Sequence, residues 1–383
     1  MNKVKIGIIG VGNMGTGHVE AFKEIEGAQL VAIADISPER LEAVKEKAPK
    51  DTVYFNSSDE LIDSGLVDAV IIATPHYFHP PIAVKAFSKG LHVLTEKPAG
   101  VYTKQVREMN EAAEKSGKLF AIMFQDRTLP RHIKLKEIIS SGELGNILRV
   151  TINVTDWYRT QAYYDSGTWR ATWSGEGGGV LINQCPHDLD IWQWSIGMLP
   201  TKVRAFVNNG RFHDIEVEDD VSAYFEYANG ATGTFVTSSG DYPGFSRFEV
   251  MGDLGKLVME NNTIKLDKFK ENARTFSNTD PNFWSGPGHE TTLIEFDDSF
   301  PGHKAVVQDF VNAISNGTPL FISGHEGIKG LTISNAIHLS GWLDKTIEIP
   351  YDEELYLSEL NKRIEGSKKK TGTDKIANLD GSF

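Results

Sequence analysis

Short apolar runs alternate with amphipathic stretches over roughly the first third of the chain, and this rhythm predicts βαβ units around a parallel sheet. The strand-length runs fall at residues 4–9, 30–34, 69–72, 92–94 and 119–123. Each is nearly continuous in apolar residues, as expected where both faces of a sheet are covered. Helix-length segments at 13–23, 38–47, 80–89 and 104–115 separate them. After a predicted helix at 129–140 the rhythm changes. Strands follow one another at 147–154, 203–207, 221–227, 232–237, 247–251 and 256–259, with turns such as Asn229-Gly230 and Gly252-Asp253 between them, so a large antiparallel sheet is expected. Two late helices are predicted at 303–315 and 325–343. The pattern therefore divides into an α/β Rossmann domain with a doubly wound parallel sheet over 1–125, an α+β domain with an open, mostly antiparallel sheet over 126–365, and a polar tail over 366–383.

The first strand runs directly into Gly10-Val11-Gly12-Asn13-Met14-Gly15, and Asp35 ends the second apolar run. Glycines at these three positions permit a sharp turn, close approach of backbone amides to a pyrophosphate, and tight packing of helix on strand. The helix beginning at Asn13 and Met14 presents free N–H groups to phosphate. Asp35 is placed to accept hydrogen bonds from ribose hydroxyls, and with Ile36-Ser37 after it and no adjacent Arg or Lys, NAD is expected over NADP. A plain glycine turn is the alternative meaning, and the flanking strand, helix and acid speak against it.

Composition narrows the partners. A formal net charge of −13 over 383 residues, with a pI near 5.4, argues against nucleic acid or an anionic membrane as a ligand. The basic cluster Lys368-Lys369-Lys370 reads as a solvated run in the tail. Cys185 is the sole cysteine, which excludes an internal disulfide and the usual thiolate zinc sets. No apolar window approaches a membrane span and no leader is legible, so a cytoplasmic protein is expected.

In doubly wound sheets ligands bind at the carboxyl ends of the strands. Thr74-Pro75-His76, His79, Glu96-Lys97-Pro98 and Gln125 all follow predicted strands and are expected to line the cofactor crevice. Lys97, held beside apolar strand and proline, is the candidate proton acceptor, and a surface lysine paired with Glu96 is its alternative. His76 and His79 lack a third ligand nearby, so no metal is expected. Beyond Gly177-Gly178-Gly179, a helix would carry Asn183, His187 and Asp190 on one face. Asp190 reads as part of an internal hydrogen-bond network, whereas His187 and Asn183 suit a sugar hydroxyl. Tyr158, Arg159, Tyr163, Trp169 and Arg170 form an aromatic and arginine-rich loop on which a carbohydrate ring can stack, although such clusters also build cores and interfaces.

Taken together, Gly10-x-Gly12-x-x-Gly15, Glu96-Lys97-Pro98 and Gly178-Gly179 followed by His187 resemble the glucose-fructose oxidoreductase, inositol dehydrogenase and rhizopine catabolism (Gfo/Idh/MocA) family over nearly the whole chain. The resemblance implies an NAD(P)-dependent sugar or polyol dehydrogenase, with Lys97 in the position of the catalytic lysine and His187 in that of the motif histidine. It also implies Trp169-Arg170 as a cofactor contact and a C-terminal sheet that joins homodimers or homotetramers. Where many members carry an aspartate, this chain has Asn183, which cannot take a proton, so Lys97 as base with His187 and Asn183 holding substrate is the simpler scheme. The expected reaction is hydride transfer between a secondary hydroxyl of a sugar, anhydrosugar or cyclitol and NAD. An NAD-dependent glycoside hydrolase and a silent NAD or sugar sensor are the rivals.

Overall fold

The structure, a computed structural model, describes residues 3–297, 299–368 and 370. Six strands form the first sheet: β1 (Val4–Ile9), β2 (Ala28–Ala34), β3 (Val53–Phe55), β4 (Ala69–Ile72), β5 (His92–Thr95) and β6 (Phe120–Ile122). They are all parallel, in the order β3-β2-β1-β4-β5-β6. Helices α1 (Asn13–Ala21), α2 (Pro38–Val44), α3 (Ser58–Asp63), α4 (His79–Ser88) and α5 (Thr103–Ser116) make the crossovers. Ile6, Ile8, Val70, Ile71 and Leu94 are fully buried, which is why these strands lack polar alternation. Register aligns Ile9 with Ala34 and Ile72, Ile72 with Thr95, and Thr95 with Ile122. Gly10, Asp35, Thr74, Glu96 and Gln125 consequently emerge along one edge. β3 and α3 were not legible in the hydrophobic pattern: β3 is a three-residue edge strand with no buried position, and α3 is only six residues long.

After α6 (Pro130–Ser140) come β7 (Ile147–Val154), α7 (Gln161–Tyr164), α8 (Pro186–Ile196), β8 (Lys202–Asn209), β9 (Glu218–Glu226), β10 (Thr232–Ser238), β11 (Ser246–Gly252), β12 (Gly255–Glu260), β13 (Thr263–Phe269), α9 (Ala273–Thr279) and β14 (His289–Ile294). The chain then adds α10 (Gly302–Asn316), α11 (Gly327–Leu343), β15 (Ile347–Glu348) and α12 (Glu353–Gly366). The second sheet has nine strands in the order β14-β13-β12-β11-β7-β10-β9-β8-β15. It is antiparallel except that β7 and β10 run parallel, which the long excursion between them allows. Its inner face buries Val150, Ile152, Val221, Phe225, Phe235 and Val250 beneath α8 and α11.

Helix α10 returns to the first sheet, where Val306, Val307, Phe310 and Val311 join the core built on β1 and β5. Helix α12, unassigned by the sequence pattern, is capped by Asp352, whose carboxylate accepts from the Glu354 and Leu355 amides. The predicted tail begins where α12 ends, and Lys369 and residues 371–383 lie outside the described residues. Among the described residues, no helix is long and apolar enough to cross a membrane.

Candidate active site

At the carboxyl edge of the first sheet, Gly10 adopts φ 88°, and a Cβ there would meet the Ala73 carbonyl at 2.8 Å. A Cβ on Gly15 would sit 1.9 Å from the Gly10 oxygen, so helix α1 can approach the loop only as glycine. Above Gly12 the space is open among the described residues: a Cβ there would come within 4 Å of the Arg40 guanidinium alone, at 3.9 Å. No side chain caps α1, leaving its first amides for an anion. This cradle fits a dinucleotide pyrophosphate. Buried Asp35 accepts from the Val11 amide at 2.8 Å and the Ser37 amide at 2.9 Å, which fixes the carboxylate beside the loop. The fold also brings in Arg40, a basic group that the sequence around Asp35 did not suggest. Asp35→Ala is expected to weaken NAD binding about 10- to 100-fold, the worth of hydrogen bonds to a charged acceptor, while weakening NADP less. Fluorescence titration with the two cofactors checks it.

Lys97 follows β5 through a cis Lys97–Pro98 peptide. Its Nζ crosses to the second domain and donates to the Asn183 main-chain carbonyl at 2.8 Å. Burial lowers its pKa, with the Glu96 and Asp126 charges opposing. Glu96 is buried beneath it and its Oε1 meets the His18 Nε2 at 2.6 Å. Burial raises the Glu96 carboxyl, but His18, His303 and Lys97 outweigh it and hold the group at about 2. Glu96 thus stays charged and its other oxygen accepts from the Lys97 amide at 3.3 Å, steadying the turn.

His187 stands on α8, with its Nε2 3.2 Å from the Gln125 amide nitrogen and its ring edge-on to Phe124. Its Nδ1 is buried without a partner among the described residues, and burial lowers its pKa, so the ring is neutral near pH 7. Helix α8 begins only at Pro186. Proline suits the first helical position and disfavours helix in the residue before it, so Asn183 lies in the preceding turns and not on the His187 face. This corrects the single polar stripe expected from spacing. Asn183 instead donates through Nδ2 to Glu176 and accepts from the Tyr163 hydroxyl at 3.2 Å. Asp190 does belong to an internal network: Arg127 grips it at 2.7 and 2.6 Å and Gln193 donates at 3.0 Å.

Asp188, the neighbour of His187, accepts from the Trp157 indole at 2.9 Å. Burial, aided by the Asp126 and Asp156 charges, pushes its carboxyl up to about 7. A raised acid pKa means that this group favours the fold fully below its ordinary value of 3.8 and that the advantage is lost as pH rises to about 7. Asp188→Asn keeps an acceptor for the indole and removes the titration. Relative to the parent, the variant is expected to gain about 4 kcal/mol between pH 4 and pH 8 in urea unfolding. A stability difference that does not change with pH would sink the assignment.

The other expected residues divide. Buried His79 faces the Pro98 carbonyl at 2.8 Å and the Thr74 carbonyl at 2.7 Å, tying together the loops after β4 and β5. His76, the next residue after Pro75, meets the Glu176 carbonyl at 3.2 Å and packs edge-on to Trp169. Arg170 donates to the Tyr163 hydroxyl at 2.7 Å and lies over the Trp169 ring. Arg159 stacks on Tyr163, whereas Tyr158 is exposed against Tyr242 and outside the Lys97–Asn183–Tyr163 network. Glu176 was missed. It is almost wholly buried, accepts from the Ala171 amide and from Asn183, and lies 3.7 Å from Arg170. Burial raises its pKa, with Arg170 opposing. Its one sequence signal is an acid set directly before three glycines.

A glycine cradle with its acid at one end of a parallel sheet, facing a lysine and an imidazole, defines an NAD-binding oxidoreductase. The chain belongs to the Gfo/Idh/MocA family: residues 4–124 match the oxidoreductase family, NAD-binding Rossmann fold, and residues 132–258 match the GFO/IDH/MocA C-terminal domain. It is 27% identical over 340 residues to the rhizopine catabolism protein MocA of Rhizobium meliloti, covering 88% of this chain and 94% of that one. It is 26% identical over 345 residues to the myo-inositol 2-dehydrogenase of Thermotoga maritima, covering 87% and 95%. In structure it resembles the WlbA dehydrogenase of Bordetella pertussis, solved with NADH and UDP-GlcNAcA, at a TM-score of 0.77 and 26% identity over 92% of this chain and 99% of that one.

Proposed function

We propose that this chain oxidises a secondary hydroxyl of a sugar, anhydrosugar or cyclitol, with Lys97 as the general base. What supports the reading is the meeting of groups from two lobes: the Lys97 amine reaches the Asn183 carbonyl, in the segment that leads into His187. NAD, when bound, supplies the hydride acceptor. Gly10, Gly12, Asn13, Met14 and Asp35 hold its adenosine and pyrophosphate end, and Thr74, Pro75, Glu96, Gln125 and the Trp169-Arg170 pair border its reactive end. Burial biases Lys97 toward the neutral amine, which takes the hydroxyl proton. Neutral His187 offers its unpartnered Nδ1 to the same sugar, and Asn183, fixed by Glu176 and Tyr163, shapes the floor beneath it. The names of the inositol dehydrogenase relative and of the nucleotide-sugar complex favour a polyhydroxylated ring as substrate.

A panel of sugars, anhydrosugars and inositols assayed with NAD tests this, NADH absorbance being the expected signal. Tight NAD binding with no turnover across the panel would leave a sensor, and free sugar released from an aryl glycoside without net NADH would leave a hydrolase. Residues 1–125 act as the NAD-binding part and 126–365 as the substrate part. Phe206 and Tyr224, exposed on the outer face of the second sheet, mark the surface through which copies join as a homodimer or homotetramer. Light scattering that returns the mass of one chain would remove that part. A reducing cytoplasm suits the lone, buried Cys185.

A further inference from the structure

Arg159 is held in place more firmly than an idle loop arginine requires. Its amide donates to the Ser239 carbonyl at 2.9 Å and its own carbonyl faces the His213 Nε2 at 2.8 Å. Its guanidinium lies over two rings, 5.4 Å from the centre of Trp157 and 5.2 Å from that of Tyr163, and spends one donor on the Tyr158 carbonyl at 2.9 Å. Trp157 is tied to Asp188, the residue after His187, and Tyr163 to Asn183, four residues before it. The stacked guanidinium is thus joined, through one aromatic ring each, to Asp188 and Asn183 of the segment that carries the imidazole. Arg127 and Arg170 at the same site have carboxylate partners, but no carboxylate lies within 4.0 Å of Arg159 among the described residues.

A planar, weakly hydrated cation fixed on aromatic faces, with donors to spare, matches the two oxygens of a carboxylate. We propose that Arg159 is the subsite for a carboxylate on the sugar ring, so that the substrate class is a sugar acid. A dianionic phosphate fits less well, because Asp126, Asp156 and Asp188 share the neighbourhood and Arg159 already offsets part of the Asp156 charge, leaving less than two positive charges' worth of attraction. The two aromatic rings offer faces to the apolar side of the same sugar. The assignment deepens the proposed function and rests on it for placing the sugar at the 183–188 segment.

The test is calorimetric binding to the NAD-loaded full chain of D-glucuronate, D-galacturonate and D-mannuronate, each against its neutral parent sugar. At least one acid is expected to bind about 10- to 100-fold more tightly than its parent, the range for hydrogen bonds to a charged group. In Arg159→Gln that ratio is expected to collapse to near one, and in Arg159→Lys, which keeps the charge without the fork, to fall part of the way. Thermal melting of both variants shows whether they are folded, and the ratio in the parent chain is a test by itself. If no acid outbinds its parent, or if the preference survives in both variants, the subsite is wrong. An acid preference that depends on Arg159 without any NADH formation would keep the subsite and remove the dehydrogenase reading.

Discussion

Lys97→Ala is expected to lower kcat/KM about 100- to 10,000-fold, the usual worth of a positioned general base, and to leave NAD affinity nearly intact. Among the described residues the lysine amine hydrogen-bonds across to the second domain, at the Asn183 carbonyl, and not to the glycine cradle. Its loss therefore removes proton abstraction without opening the pyrophosphate site. The pH profile supplies an independent reading. A base must be neutral to act, so kcat/KM rises with pH until the amine is deprotonated, and burial moves that limb below the range of an exposed lysine. The limb should vanish in Lys97→Ala. Stopped-flow hydride transfer and NAD titration on the same preparation separate the cases. Equal losses of turnover and cofactor affinity would show that Lys97 is a structural contact.

Asp190→Ala is expected to cost about 3–5 kcal/mol in urea unfolding, because it strands the Arg127 guanidinium in the interior. Both side chains are nearly inaccessible, at 2% and 1% exposure, and two parallel N–H···O contacts join them. Glu326 remains 3.5 Å from Arg127 and offsets part of the loss. The pair fastens the segment after β6 to α8, so it holds Gln125 against His187 as well as stabilising the fold. Replacing both partners together, as Arg127→Met with Asp190→Leu, removes the desolvation penalty along with the attraction, and most of the stability should return. If the double variant is no better than the single one, the pair contributes more than charge balance. If Asp190→Ala costs under about 1 kcal/mol, the interior at this point is wetter than the burial implies.

The sequence conveyed the first sheet and its ligand edge because those features are local: continuous apolar strands, a glycine turn and an acid at the end of β2. Lys97 and His187 were legible for the same reason, each carried by a short distinctive motif. The features that were hidden depend on partners distant along the chain. Nothing near Glu176 reveals that it receives the Asn183 amide and the Ala171 N–H, and nothing near His18 reveals that it lies on Glu96. Hydrophobic periodicity continues through residues 180–185 and so extends a helix across Asn183, although Pro186 delays the start of α8. The short β3 and the mostly polar α12 fell below the contrast that a hydrophobic pattern provides.

The returning helix α10 has a bearing on how the polypeptide can be divided. Val306, Val307, Phe310 and Val311 are supplied from far downstream to the core of the first sheet. A fragment ending at residue 125 would expose the apolar surface that they cover, so the nucleotide-binding half is not autonomous. Synthesis must pass α10 before that half is complete, and splitting the gene at the linker, or permuting the termini there, yields a sticky piece unless this one helix is grafted back.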